Sequence, residues 1–178
     1  MAYGWEGELV RLVPLDKEKH LENAVRWLND PEVTQFLLIG DFPLTKVAEE
    51  KYFDSHGEMN ENDVAWAVET LHGKHIGFSG LHQINHMHKT AISGTVLGDK
   101  ESWGQGYGTD AARTRARYAF DVLGLRLIMS AILEGNERSL RMQETVGYQV
   151  VGRIPKRFWK RGQFRDEIIT CLTPETLQ

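Results

Sequence analysis

Three glycines, Gly104, Gly106 and Gly108, alternate within Leu97-Gly98-Asp99-Lys100-Glu101-Ser102-Trp103-Gly104-Gln105-Gly106-Tyr107-Gly108-Thr109-Asp110-Ala111-Ala112. The run Ile92 to Leu97 precedes them, and a segment with helical periodicity follows. Glycine allows a tight turn and lets a ligand approach the main chain without meeting a Cβ. A helix that starts here turns its unpaired N–H groups and the positive end of its dipole into the loop. That combination is an anion site, and diphosphate is its usual occupant. Two common phosphate loops do not fit. No Lys-Ser or Lys-Thr follows the glycines, as a P-loop requires. Read from Gly104, the dinucleotide pattern Gly-x-Gly-x-x-Gly ends on Thr109.

The loop Trp103 to Gly108, and the string Gly98 to Ala111 around it, resemble the diphosphate loop of the GNAT N-acetyltransferases. The resemblance is to the branch holding ribosomal-protein N-terminal and polyamine acetyltransferases. Downstream, Asn136-Glu137-Arg138-Ser139-Leu140-Arg141-Met142-Gln143-Glu144-Thr145-Val146-Gly147-Tyr148 is similar in phase to the family's second cofactor segment. The resemblance spans residues 8 to 172, the first 60 in pattern only. It implies direct transfer of acetyl from acetyl-CoA to a primary amine, either a small amine such as a polyamine or a protein N-terminus. It also implies a role for the main chain of Gln105 to Thr109 at the diphosphate. Val96 and Leu97 would pair with the pantetheine arm, and an N–H there would face the developing oxyanion. Trp103, Gly104, Gln105, Gly106, Tyr107, Gly108, Thr109, Asn136, Ser139 and Gln143 complete the expected cofactor contacts. Asn136 reads equally as a helix cap, and the two roles are compatible.

Two departures from the family pattern bear on the chemistry. The tyrosine that commonly protonates the leaving thiolate, seven residues after the asparagine, is Gln143 here. Gln has no titratable proton. Ser139, four residues earlier on the same helix face, could hydrogen-bond the sulfur instead; its alternative is a helix-surface serine. The acidic residue many relatives carry on the strand before the loop is also missing, since the segment reads Ala91-Ile92-Ser93-Gly94. Glu69 is the first candidate for the base and His82 the second, each with a plain strand-surface alternative. Such departures keep open a non-catalytic acyl-CoA-binding module. His82, His86 and His88 lack the cysteine or carboxylate that would complete a metal set, so no metal is expected. The segment Ile84-Asn85-His86-Met87-His88 resembles a strand turn of polyamine acetyltransferases.

The elements that must position these residues follow from periodicity. Glu8 to Leu15 reads as a strand, then Leu21, Val25 and Leu28 mark a helix ending at Asn29-Asp30-Pro31. After a short helical piece from Glu32, a helix over Thr45 to His56 should turn Val47, Tyr52 and Phe53 inward. Three antiparallel strands follow at 64–69, 76–84 and 90–97. A helix beyond the loop buries Ala112, Ala116, Ala119, Phe120 and Leu123; a strand, Leu127 to Leu133, runs parallel to its predecessor; and a helix leads from Asn136 to Gly147. Tyr148 to Val151 and Glu167 to Leu172 should pair around a basic loop containing Arg153, Lys156, Arg157, Phe158, Trp159, Lys160, Arg161 and Arg165. That loop reads as solvated or as a dimer contact, so a homodimer stays open; nucleic-acid binding is the less favoured alternative.

The expected class is α/β with α+β connectivity, a GNAT fold in which a mixed, mostly antiparallel twisted sheet is flanked by helices. One domain should span residues 1 to 178. A single Cys171 excludes an internal disulfide, and no apolar run reaches the ~18 residues of a membrane span. No basic-then-apolar leader pattern begins the chain, so a cytoplasmic location is expected. Net charge is −4, with 14 acids and 6 bases in residues 1–63 and a net positive remainder. An acidic front could attract a cationic substrate and a basic back a polyphosphate, although both could be ordinary solvated faces.

Overall fold

A computed structural model describes residues 5–178. Strands β1 (Trp5–Glu6), β2 (Val10–Pro14), β3 (Val64–Thr70), β4 (His75–Asn85), β5 (Thr90–Leu97), β6 (Leu127–Leu133), β7 (Gln149–Lys160) and β8 (Gln163–Leu172) form one sheet. Their order is β1-β2-β3-β4-β5-β6-β8-β7. Every neighbouring pair is antiparallel except β5 and β6. The helices are α1 (Lys17–Leu28), α2 (Pro31–Thr34), α3 (Lys46–Gly57), α4 (Tyr107–Arg117) and α5 (Glu137–Val146).

Side chains of β4 alternate between faces, as a pleated strand requires. Phe78 packs with Leu21, Ala24 and Phe53 of α1 and α3. Its neighbour Ser79 accepts a hydrogen bond from Arg115 of α4. The sheet is therefore covered on both sides. On the α4 side, the alanines Ala111, Ala112, Ala116 and Ala119 pack closely on Val10, Leu12, Val68, Ile76 and Leu81. Small residues let α4 lie near the strands, which sets the glycine loop against the end of β5. Asp110, in the first turn of α4, accepts the N–H groups of Glu8, Leu9 and Val10 and ties the helix start to β2.

β5 and β6 are in register only from Thr90–Leu127 to Ile92–Met129. Beyond that point they part. A buried polar network fills the base of the fork. The Tyr148 and Ser93 hydroxyls meet at 2.9 Å, and Ser130 donates to the Ser93 carbonyl at 3.3 Å. Gln143 donates to Ser130 at 2.8 Å and accepts from Thr170.

Two expectations are corrected. α3 turns Phe53 inward, but Val47 is 61% and Tyr52 40% exposed, while Glu49 is buried. The basic stretch faces solvent as expected but is not a loop, because β7 and β8 continue as strands to a turn at Arg161-Gly162. Most of its cations are also bonded within the fold. Arg153 pairs with Asp166 and Glu134, Arg157 with Glu167, and the buried Lys160 with Asp41 at 2.8 Å. Arg161 binds the Pro31 carbonyl and Thr34 hydroxyl.

Candidate functional site

Two cavities meet at the fork. The first, about 720 Å³, runs from the glycine loop between α2 and α5 to the parted edge of β5. Gly106 forms the cap of α4 with φ +86°, and no side chain caps the helix. A Cβ placed on Gly104 would meet nothing within 4 Å, so the loop borders open space. Arg138 and Arg141 of α5 line the same groove, and the Arg138 guanidinium lies 4.5 Å over the Trp103 ring. Main-chain N–H groups at a helix start, beside two guanidinium groups, suit a diphosphate.

The second cavity, about 740 Å³, lies between the fork and α3, walled by the Phe36–Leu44 segment. Thr95, Val96, Asn136, Ser139 and Met142 line both cavities and so mark their junction. His82 lines the second cavity. Its Nδ1 lies 2.6 Å from Asp63 Oδ1. With that nitrogen donating to the carboxylate, Nε2 keeps its lone pair. Nε2 sits over Gly80, where an added Cβ would stand 2.6 Å from it. The positive φ of Gln83 accompanies a break in the β4–β5 register between His82 and Asn85. Such a bulge re-aims side chains.

The model of the acetyltransferase (GNAT) domain matches residues 10–149. The chain belongs to this family. Spermidine N(1)-acetyltransferase of Escherichia coli strain K12 is 30% identical over 172 residues, covering 92% of this chain and 85% of that protein. The crystal structure of spermidine N-acetyltransferase from Vibrio cholerae in complex with CoA and spermine superposes with a TM-score of 0.85 at 18% identity. It covers 94% of this chain and 96% of that one. A putative acetyltransferase from T. thermophilus shows a TM-score of 0.78 at 29% identity, over 99% and 93% of the two chains. GNAT enzymes move acetyl from acetyl-CoA to an amine, and this chain is an acetyl-CoA-dependent N-acetyltransferase.

Within this acetyltransferase, Val96, Leu97, Trp103, Gly104, Gly106, Tyr107, Gly108, Thr109, Asn136 and Ser139 all line the first cavity. Trp103 also donates its indole N–H to the Leu97 carbonyl at 2.8 Å, locking loop to strand. Asn136 caps α5 by accepting the Ser139 N–H at 3.2 Å. The side chain of Gln105 turns back to the Glu101 carbonyl, leaving its main chain for any cofactor contact.

Gln143 stands differently from its expected place. It is buried, lines only the second cavity, and both ends of its amide are bonded to protein. The geometry gives it an anchoring role at the fork. Glu69 lines neither cavity. Its carboxylate accepts from His20 Nε2 at 3.1 Å, because His20 Nδ1 already accepts the Asp16 N–H. β3 does carry Glu69 on the α1 side, but its end lies beneath α1 rather than at the cleft.

Arg115, Arg138, Arg141 and Glu49 were not singled out from sequence. Arg115 is buried at the fork and donates to Ser79, Thr95, the Gly94 carbonyl and Tyr148, not to a carboxylate. Only its position on the strand-facing side of α4, beside the alanines, could have flagged it. Arg138 and Arg141 were within the matched segment and flank Ser139. Burial pushes the Glu49 carboxyl above the usual carboxylate range.

Proposed function

We propose that residues 1–178 act as a single catalytic domain that acetylates a small primary amine by direct attack. The meeting of the two cavities at Val96, Asn136 and Ser139 carries this reading, since a donor groove and an acceptor site must share the reacting point. Acetyl-CoA, held by Gly104 to Thr109, Arg138 and Arg141, supplies an acetyl group already activated as a thioester. The parted edge of β5, without a neighbouring strand beyond Ile92, offers main-chain groups to the pantetheine arm.

His82 takes the proton from the acceptor nitrogen at Nε2. Asp63 holds the Nδ1 proton, fixes the ring and offsets the charge that His82 gains. Ser139 bears a hydroxyl at the junction, where it would donate to the departing sulfur. A thiol with an ordinary pKa near ~8.5 leaves readily, so a hydrogen bond suffices there.

The curated relative from E. coli is a spermidine N(1)-acetyltransferase, which supports an amine acceptor and makes a polyamine one candidate. A protein N-terminus is the other candidate. The homodimer and the cytoplasmic location belong to the same proposal, and sedimentation and cell fractionation test them.

Thiol release from acetyl-CoA, measured across a panel of primary amines, tests the reaction. His82→Gln should lower kcat by about 10²-fold, at the low end for a positioned base, with KM for acetyl-CoA unchanged. Thiol release from no amine would refute the reading, and an unaltered kcat in His82→Gln would refute the assignment of the base.

A further inference from the structure

Glu49 is 6% exposed and lines the acceptor cavity. Its carboxylate forms no hydrogen bond or ion pair among the described residues. Only the His56 imidazole, stacked on Tyr52 at 3.9 Å, lies near enough to favour its charged form. A carboxylate buried without a partner is costly. α3 accepts that cost while leaving Val47 in solvent, the reverse of ordinary helix amphipathicity. Such a group is satisfied when a cation enters the cavity.

Other carboxylates around the site are already engaged. Asp63 holds His82, Asp41 holds Lys160, Glu69 accepts from His20, and Glu32 pairs with Lys100. The wall towards α1 and α3 is largely apolar, with Leu15, Leu28, Leu38, Phe42, Leu44 and Phe78, whereas the fork side carries the Arg115 guanidinium and several hydroxyls. Phe42 is 87% exposed and Leu38 54%. Lys160 fixes this wall through Asp41 and the Ile39 carbonyl. On its α3 side the cavity therefore offers one carboxylate without a partner and a broad apolar surface, with Arg115 as a cation at the fork. A polyamine would bring one or more further ammonium groups against that surface, each losing hydration without a counter-charge.

We infer that the acceptor is a primary monoamine carrying an aromatic or branched aliphatic body, its ammonium received by Glu49 and its body held against the Leu38–Leu44 wall. This rests on the acetyl-transfer reading above and sets a small apolar monoamine in place of the polyamine and N-terminal candidates named there. Glu49 attracts the ammonium form, and His82 takes its proton before the neutral nitrogen attacks.

The test uses phenethylamine and isoamylamine against spermidine, spermine and putrescine, with thiol release from acetyl-CoA as the readout. kcat/KM for phenethylamine should exceed that for spermidine by at least tenfold. Glu49→Gln should lower kcat/KM for phenethylamine about tenfold, leave KM for acetyl-CoA unchanged, and hold or raise Tm, since it removes a buried unpaired charge. A merely structural Glu49 would not split these readouts. Spermidine turned over as well as phenethylamine, or Glu49→Gln leaving kcat/KM for phenethylamine intact, overturns the inference. Thiol release from none of the five amines or from any wider panel overturns the transfer reading and this inference with it.

Discussion

At the scale of the residue, the chemistry needs one proton removed from nitrogen and some relief of charge on sulfur. In the proposed reaction His82, on β4, would take the proton and Ser139, on α5, would face the sulfur. Replacing Ser139 by Ala should lower kcat more than it raises KM for acetyl-CoA, because its hydrogen bond strengthens only as charge develops on sulfur. The expected loss is at or below about 10²-fold, the low end for a positioned acid. Steady-state kinetics at saturating acetyl-CoA measure it, and an unchanged kcat would mean the thiolate leaves unaided. Ser139 was a candidate in sequence because it stands four residues before Gln143 on one short helix. The choice between Glu69 and His82 was not legible in the same way. Both lie on strand faces of the expected kind. What separates them is how far along its strand each one sits, with Glu69 ending under α1 against His20 and His82 turned at a bulge.

At the scale of the element, the β5–loop–α4 unit is the part most readable from sequence. Its strand, its glycine punctuation and its alanine face are all local signals, and β5 spans Thr90–Leu97 as its pattern predicts. Gly106 is the critical position, at φ +86° in a conformation that β-branched residues avoid. A Cβ there would touch only Leu9 Cδ1, at 3.4 Å, so the fold itself leaves room. Gly106→Val should cost about 1–3 kcal/mol of backbone strain and weaken CoA binding by at least about tenfold through the side chain set before the loop. Calorimetric titration with CoA checks this, and intact affinity would overturn the loop assignment. The β7–β8 hairpin was less legible because its partners are remote. Asp41, Pro31 and Glu134 are drawn to it from elsewhere in the chain, and no local pattern announces those contacts. The burial of Glu49 was hidden for a related reason: the apolar residues of α3 suggest a face that the helix does not bury.

At the scale of the whole molecule, the buried His20 of α1 and the partly buried His75 of β4 pack ring against ring under α1. His75 is held neutral. Burial and the neighbouring His20 bring its pKa from 6.5 down to about 4. The unfolded chain therefore binds a proton on His75 at a pH where the folded chain does not. Stability should fall as pH drops from 6.5 towards 4 and then level off for this group. Thermal unfolding at a series of pH values measures the slope, which should be shallower in His75→Gln. A slope that is identical in the two proteins would contradict the assignment.

In the proposed reaction the loop groove and the Glu49–His82 cavity are two halves of one site. A conjugate of CoA joined through an acetyl bridge to the amine that is turned over fastest tests it most directly. Bridging both halves resembles the point of transfer, so the conjugate should bind at least about 10²-fold tighter than CoA alone. Binding no tighter than CoA would show that the two cavities are not filled together, and the account of transfer at the β5–β6 fork would fail.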